Sequence, residues 1–175
     1  MSRAAEDAEI LSVVDSTDSV IGENRRDKIH RLRLRHRAIH VLVFNPQGAV
    51  FLQKRALHKQ ENPGMWDSSV AGHVDAGENY DECCVREIEE EVGLVLDRVP
   101  PRLFKLEATE VTGMEFAWVY RVDTDQTLSP NAQEISGGGW FDPAELDDRI
   151  DSGDRSLSGV FCLIWQTYRK LKKPT

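Results

Sequence analysis

The stretch from Asn79 to Gly93 constrains this chain most, because it reads as one helix with two faces that need opposite surroundings. Asn79 followed three positions later by Glu82 is an Asn-x-x-Glu arrangement suited to a capping box, and Gly93 is a good left-handed stop. The spacing predicts a helix over residues 79–92. At about 100° per residue, Glu87, Glu90 and Glu91 share one side, while Cys84, Val85, Ile88 and Val92 share another. The apolar side must pack into a core. Like charges crowded on the other side weaken a helix by a few tenths of a kcal/mol per pair, so something has to offset them. A bare run of acids is ordinarily a solvated face. The alternative is a divalent-cation site, because carboxylates at i, i+3 and i+4 point hard oxygen ligands at one ion or a small cluster.

The rest of the chain has to supply that core. With 175 residues, 40% of them hydrophobic, it is long enough for one domain and excludes wholesale disorder. Thirty acidic against 22 basic residues give a net charge of −8, which argues against the chain as a whole coating nucleic acid or an anionic membrane. No run approaches the roughly 18 apolar residues of a membrane span, and the first ten residues, MSRAAEDAEI, contain no apolar leader. Cys83, Cys84 and Cys162 form neither an even disulfide framework nor a CxxC pair, so a reducing, cytoplasmic setting is expected. The acidic excess concentrates between Glu78 and Glu91, where Arg86 is the single cation. Residues 25–37 carry the opposite bias, and the alternation Arg31-Leu-Arg33-Leu-Arg35 reads as an edge strand with a solvated basic face. Attraction of an anionic substrate or RNA is the lesser alternative for that segment.

Ile10–Val14 and Val20–Gly22 flank a turn-like Asp15–Ser19 and predict an N-terminal hairpin, so residues 1–35 are read as hairpin and basic segment and 36–175 as the main domain. The hairpin and the basic edge are candidate contacts for a second subunit. Ile39–Phe44 and Ala49–Gln53 flank Asn-Pro-Gln-Gly and predict a second hairpin. Residues 56–66 read as a surface loop able to close over a ligand. Strands are expected at 103–110, 115–122 and around Trp140-Phe141, with a helix opened by Asp142-Pro143-x-Glu145. Phe161, Ile164, Trp165, Tyr168 and Leu171 recur at helical spacing as a core stripe.

Context decides what the acids do. Gly72, Glu78, Arg86, Glu87, Ile88, Glu90, Glu91, Gly93 and Leu94 occupy every fixed position of G-x5-E-x7-R-E-U-x-E-E-x-G-U, where U is aliphatic. This resembles the signature of Nudix hydrolases. The resemblance implies an α/β/α sandwich with a mixed sheet, and cleavage of a diphosphate linkage in a nucleoside diphosphate derivative with Mg²⁺ or Mn²⁺. It implies Glu87, Glu90, Glu91 and the Gly72 carbonyl as metal ligands, and Arg86 as the residue that orients a carboxylate, steadied by Glu78. The base is one of the helix acids, Glu90 among them, or an acid on a later loop, Glu134 or Glu115. Arg55 and Lys59 beside the loop are candidate phosphate contacts, as is Lys54. His73 is a candidate ligand contact or a backbone-bonded loop histidine, and Trp66 either stacks on a base or plugs the core. Cys83 receives no chemical role.

The string His36-Arg-Ala-Ile-His40, then Leu52-Gln-Lys-Arg55, then Pro63-Gly-x-Trp66-Asp-x-Ser-x-Ala71-Gly-His73, is similar to the Nudix branch closest to isopentenyl-diphosphate isomerases. Those enzymes use a cysteine just before Gly-His, and hold a metal with histidines and glutamates. Here Ala71 takes the cysteine position; His36, His73 and Glu115 match metal positions, and Gly113 stands where a second glutamate is expected. The intact Arg-Glu-x-x-Glu-Glu pattern favours the hydrolase. A catalytically silent Nudix module that binds a nucleotide or RNA is the remaining reading.

Overall fold

The computed structural model describes residues 8–59 and 61–172. The reading of the first ten residues therefore falls mostly outside the described residues, as does Gln60 of the 56–66 loop. The expected N-terminal hairpin is present as β1 (Ile10–Val14) and β2 (Val20–Arg25), paired antiparallel. The basic segment that follows is not an edge strand: α1 (Arg26–Leu32) is a short helix, stopped by Arg33 in the left-handed region at φ 53°. Burial explains the difference, because α1 has to bring Ile29, which is fully buried, onto the domain, and the apparent Arg-Leu alternation straddles the helix end.

β3 (His36–Phe44) and β4 (Val50–Arg55) form the second hairpin, turning through Gly48 at φ 82°. β3 is the central strand, buried along nearly its whole length, and its apolar run fits a strand covered on both faces. It runs parallel to β8 (Glu115–Asp123) from His36↔Glu115 to Phe44↔Asp123. β7 (Arg102–Leu106) pairs antiparallel with β8 and is shorter than the expected 103–110, the chain turning away through Thr109–Gly113. On the other side of β3, residues 38–41 pair with β6 (Val70–His73). β4 pairs with β5 (Trp66–Asp67) and β9 (Ile135–Phe141). β3 thus touches β4 only near Phe44 and then parts from it, which opens the sheet where the cleft lies.

The opposite faces of this mixed sheet carry separate apolar layers. α2 (Tyr80–Val92) buries Cys84, Ile88 and Val92 against Ile39, Val41 and Val43. α3 (Pro143–Asp151) and α4 (Gly159–Lys172) bury Leu146, Phe161, Ile164 and Trp165 against Leu42 and Leu52 on the other face. The result is the expected α/β/α sandwich. α2 begins in a complete capping box: the Asn79 side chain accepts from Asp81 N and Glu82 N, and Asn79 N donates to Glu82 Oε2 at 2.9 Å. It ends at Gly93, φ 70°.

The β1–β2 ribbon is locked to the domain at its tip. Asp18 accepts from Arg37 Nε at 2.7 Å and from the Tyr80 hydroxyl at 2.8 Å, and it is ion-paired with Lys105. That lock also fixes α1 in place, and α1 forms part of the cleft wall.

Candidate active site

The cleft, about 400 Å³, lies where α2 meets the opened sheet. Residues far apart in the chain reach it, including Arg26 of α1 and Glu134 before β9. Arg86 is the centre of its acidic wall. Its Nε and Nη2 donate to the two carboxylate oxygens of Glu78 at 2.9 and 2.8 Å, a bidentate bond that fixes the plane of the guanidinium. Nη1 then donates to Glu87 at 2.7 Å and to Glu90 at 3.3 Å, and Nη2 to the His73 carbonyl at 3.2 Å. Arg86 thus joins Glu78, Glu87 and Glu90 in one hydrogen-bonded group.

Glu91 is buried and takes bonds from elsewhere: Gln53 Nε2 and Ala71 N both donate to its Oε2 at 3.1 Å. Burial raises its pKa, and the charge of Glu87 adds to the effect. Glu87 is likewise raised, by burial that outweighs the opposing charge of Arg86. Two neighbouring acids that resist ionising together are a charge problem that a bound cation would relieve. Gly72 supplies the second sign of fit. A Cβ at this position would lie 2.1 Å from the Glu87 carboxyl carbon, so only glycine lets the β6 backbone come this close to the carboxylate. The donor set of hard oxygens suits Mg²⁺ or Mn²⁺. Glu90, with its side chain 48% exposed, stands at the rim of the group.

Across the cleft, Lys59 is ion-paired with Glu134, and Arg55 lies 3.8 Å from Asp67. Burial pushes the Glu134 pKa up, but the hydrogen bond and charge of Lys59, with the other lowering contributions, together outweigh it and leave the carboxyl below its ordinary range. Trp66 does not join them. Alternation along β5 sends Asp67 to the cleft and Trp66 to the opposite face, where it packs edge-on against Phe141 with ring centroids 5.0 Å apart and carries Lys54 over its ring at 5.7 Å. Of its two readings, the core plug is correct. Cys83 is also inert: it is buried, its thiol donates to the His73 carbonyl at 3.2 Å, and burial drives its pKa far upward.

His73 opens a second cluster at one end of the cleft. Its Nε2 lies 3.1 Å from Glu115 Oε1, and that same oxygen is 3.4 Å from His36 Nε2. Burial pushes the His73 pKa down to about 3. Burial pushes that of Glu115 up, yet the bonds from His36 and His73 outweigh it and hold the acid well below its ordinary range. Glu115 is therefore engaged by two imidazoles. His30 completes the group, its ring centroid 5.0 Å from that of His36 and 5.1 Å from that of His73. Sequence reasoning missed His30, Glu61 and Gln53. His30 was hidden in a segment read as solvated, although its spacing to His36 was a signal. Nothing in the sequence marks Gln53 as the partner of Glu91, because that contact spans 38 positions.

An α/β/α sandwich whose cleft is lined by a glutamate-bearing helix and a glycine-backed strand is a NUDIX architecture, and the NUDIX domain family model matches residues 34–159. The chain belongs to the Nudix hydrolase family. It is 38% identical over 144 residues to an uncharacterized Nudix hydrolase of Streptomyces coelicolor, covering 81% of this chain and 79% of that one. A crystal structure from Deinococcus radiodurans superposes with a TM-score of 0.81 at 30% identity, over 94% of this chain and 100% of the other. An isopentenyl-diphosphate Delta-isomerase of Serratia proteamaculans is 29% identical over 159 residues, 89% of each chain.

Proposed function

We propose that this enzyme hydrolyses the diphosphate linkage of a nucleoside diphosphate derivative by attack of water on phosphorus, in dependence on Mg²⁺ or Mn²⁺. The observation that carries the reading is the pair of carboxylates, buried Glu91 and partly buried Glu87, with Glu87 pressed against Gly72 so closely that a Cβ there would displace it. The cation, held by Glu87, Glu90, Glu91 and the Gly72 carbonyl, would neutralise phosphate charge and lower the pKa of a water. Arg86 aligns Glu87 and Glu90, and Gln53 aligns Glu91. Glu90 at the rim is the acid best placed to take a proton; Glu134, ion-paired with Lys59, ranks below it. Arg55 and Lys59 supply positive charge on the opposite wall for phosphate oxygens, and His73 borders the same space. The size of the cleft suits a small molecule.

A panel of nucleotide sugars, dinucleotides, coenzyme A and nucleoside triphosphates, turned over in ¹⁸O-water and followed by ³¹P NMR, tests this reading. Cleavage that places ¹⁸O on a phosphate product supports it; a folded, cation-loaded protein that turns over none of the panel contradicts it.

One observation favours a second metal centre beside this one. Among the described residues the buried His30 Nε2 has no hydrogen-bond partner and the buried His36 Nε2 has only its 3.4 Å ion pair with Glu115, and one ligand atom from each of His30, His36 and His73 lies within 4.8 Å of the others. His36, His73 and Glu115 are the residues that the isomerase resemblance places at metal positions, His30 joins them in the structure, and imidazole nitrogens suit a transition metal such as Zn²⁺ or Co²⁺. Isomerisation itself lacks a proton donor, because Ala71 occupies the thiol position. Incubation with isopentenyl diphosphate is expected to return it unchanged, and formation of its allylic isomer would overturn the assignment.

A further inference from the structure

His30 and His36 are held in the same sense by different partners. His36 Nδ1 lies 2.9 Å from the carbonyl of Leu34, an acceptor only, so the ring donates there and Nε2 is the nitrogen left to bind. His30 Nδ1 lies 2.9 Å from Glu61 Oε1, again an acceptor, and its Nε2 is likewise left over. Leaving a buried ring nitrogen without a partner costs about 1–3 kcal/mol. His30 Nε2 is such an atom, and together with His36 Nε2, a third histidine and the Glu115 carboxylate that His36 and His73 share, it makes a ligand set rather than a packing accident. The isomerase pattern places a second acid at position 113; here Gly113 has no side chain, and the cluster would hold a dication with one carboxylate.

Resting on the reading of this cluster as a metal centre, we propose that Glu61 is its positioning residue: its carboxylate accepts the hydrogen bond of His30 Nδ1–H, fixes Nε2 as the ligating nitrogen, and adds the second negative charge that Gly113 does not supply. A carboxylate bonded to the far nitrogen of a ligating histidine orients the ring and raises its basicity. Glu61 also links the centre to the phosphate side of the cleft, because its backbone carbonyl accepts from Arg55 Nε at 2.9 Å.

Co²⁺ titration of the full chain in excess Mg²⁺, read by visible absorption, tests the assignment. Mg²⁺ competes for the carboxylate helix and leaves imidazoles to Co²⁺. Wild type is expected to bind Co²⁺ with an intense imidazole-type spectrum that His36→Ala abolishes. Glu61→Ala should weaken that binding about 10–100-fold, and Glu61→Gln should recover part of the loss, because its amide oxygen still accepts the His30 proton. Wild-type affinity and spectrum in a folded Glu61→Ala chain would overturn the role of Glu61 while leaving the metal centre standing. An absence of Co²⁺ binding by wild type would overturn the centre and the role together, leaving the hydrolase reading intact.

Discussion

Gln53 and Gly72 touch the acidic helix without belonging to it, and both give sharp tests. Glu91 receives its only side-chain hydrogen bond among the described residues from Gln53. Gln53→Ala should lower the apparent affinity for Mg²⁺ or Mn²⁺ by about tenfold or more while leaving the fold intact, measured as the metal concentration at half-maximal rate. Gly72→Ala would drive a methyl to 2.1 Å from the Glu87 carboxyl carbon, so Glu87 must move. Its expected outcome is a loss of turnover beyond a hundredfold with an unchanged circular dichroism spectrum; retained turnover would remove Glu87 from the site. These two residues also mark how much of the site was legible. Glycine at position 72 and the spacing of Glu87, Glu90 and Glu91 were readable because they sit in one contiguous pattern. Gln53 was not, since strand pairing brings it to Glu91 from a distant part of the chain. The two roles of Trp66 could be separated only once β5 fixed which neighbour faced the cleft.

Among the elements, the β1–β2 ribbon matters beyond its size because it carries α1 to the cleft wall. Burial pushes the Asp18 pKa up, but the bonds from Lys105, Arg37 and Tyr80 together outweigh it and leave the carboxyl below its ordinary range. A depressed folded pKa gives stability that is complete above the ordinary aspartate range and is lost as pH falls through the lowered value. Asp18→Asn is therefore expected to cost about 1–3 kcal/mol at neutral pH. The difference from wild type should shrink in acid, as followed by urea denaturation across pH. A difference that stays constant with pH would contradict the charge-based lock. On α2, Asn79→Ala removes both cap bonds and should cost about 1 kcal/mol in the same measurement. The capping box was readable because it is local. The basic segment was misread as a strand because Ile29, the one buried residue of α1, gives no periodic signal over so short a helix.

At the scale of the whole molecule, the sheet does two jobs. It separates two apolar layers, and by parting β3 from β4 it lets residues from α1, the 56–66 loop, α2 and the segment before β9 converge on one cleft. The layer order was expected from the resemblance carried by the motif of residues 72–94, and periodicity marked the apolar faces of α2 and α4. The convergence was not expected, because it depends on β3 pairing with β6 and β8 across long separations. The central claim is that the carboxylates of α2 hold the cation on which diphosphate hydrolysis depends. Its most direct test is the initial rate of diphosphate cleavage as a function of Mn²⁺ for wild type and Glu91→Gln. A saturable Mn²⁺ dependence is expected in wild type, with a rate at least roughly a hundredfold lower in the folded variant at every concentration. Equal rates in the two proteins, or cleavage by wild type that persists after chelation, would contradict it.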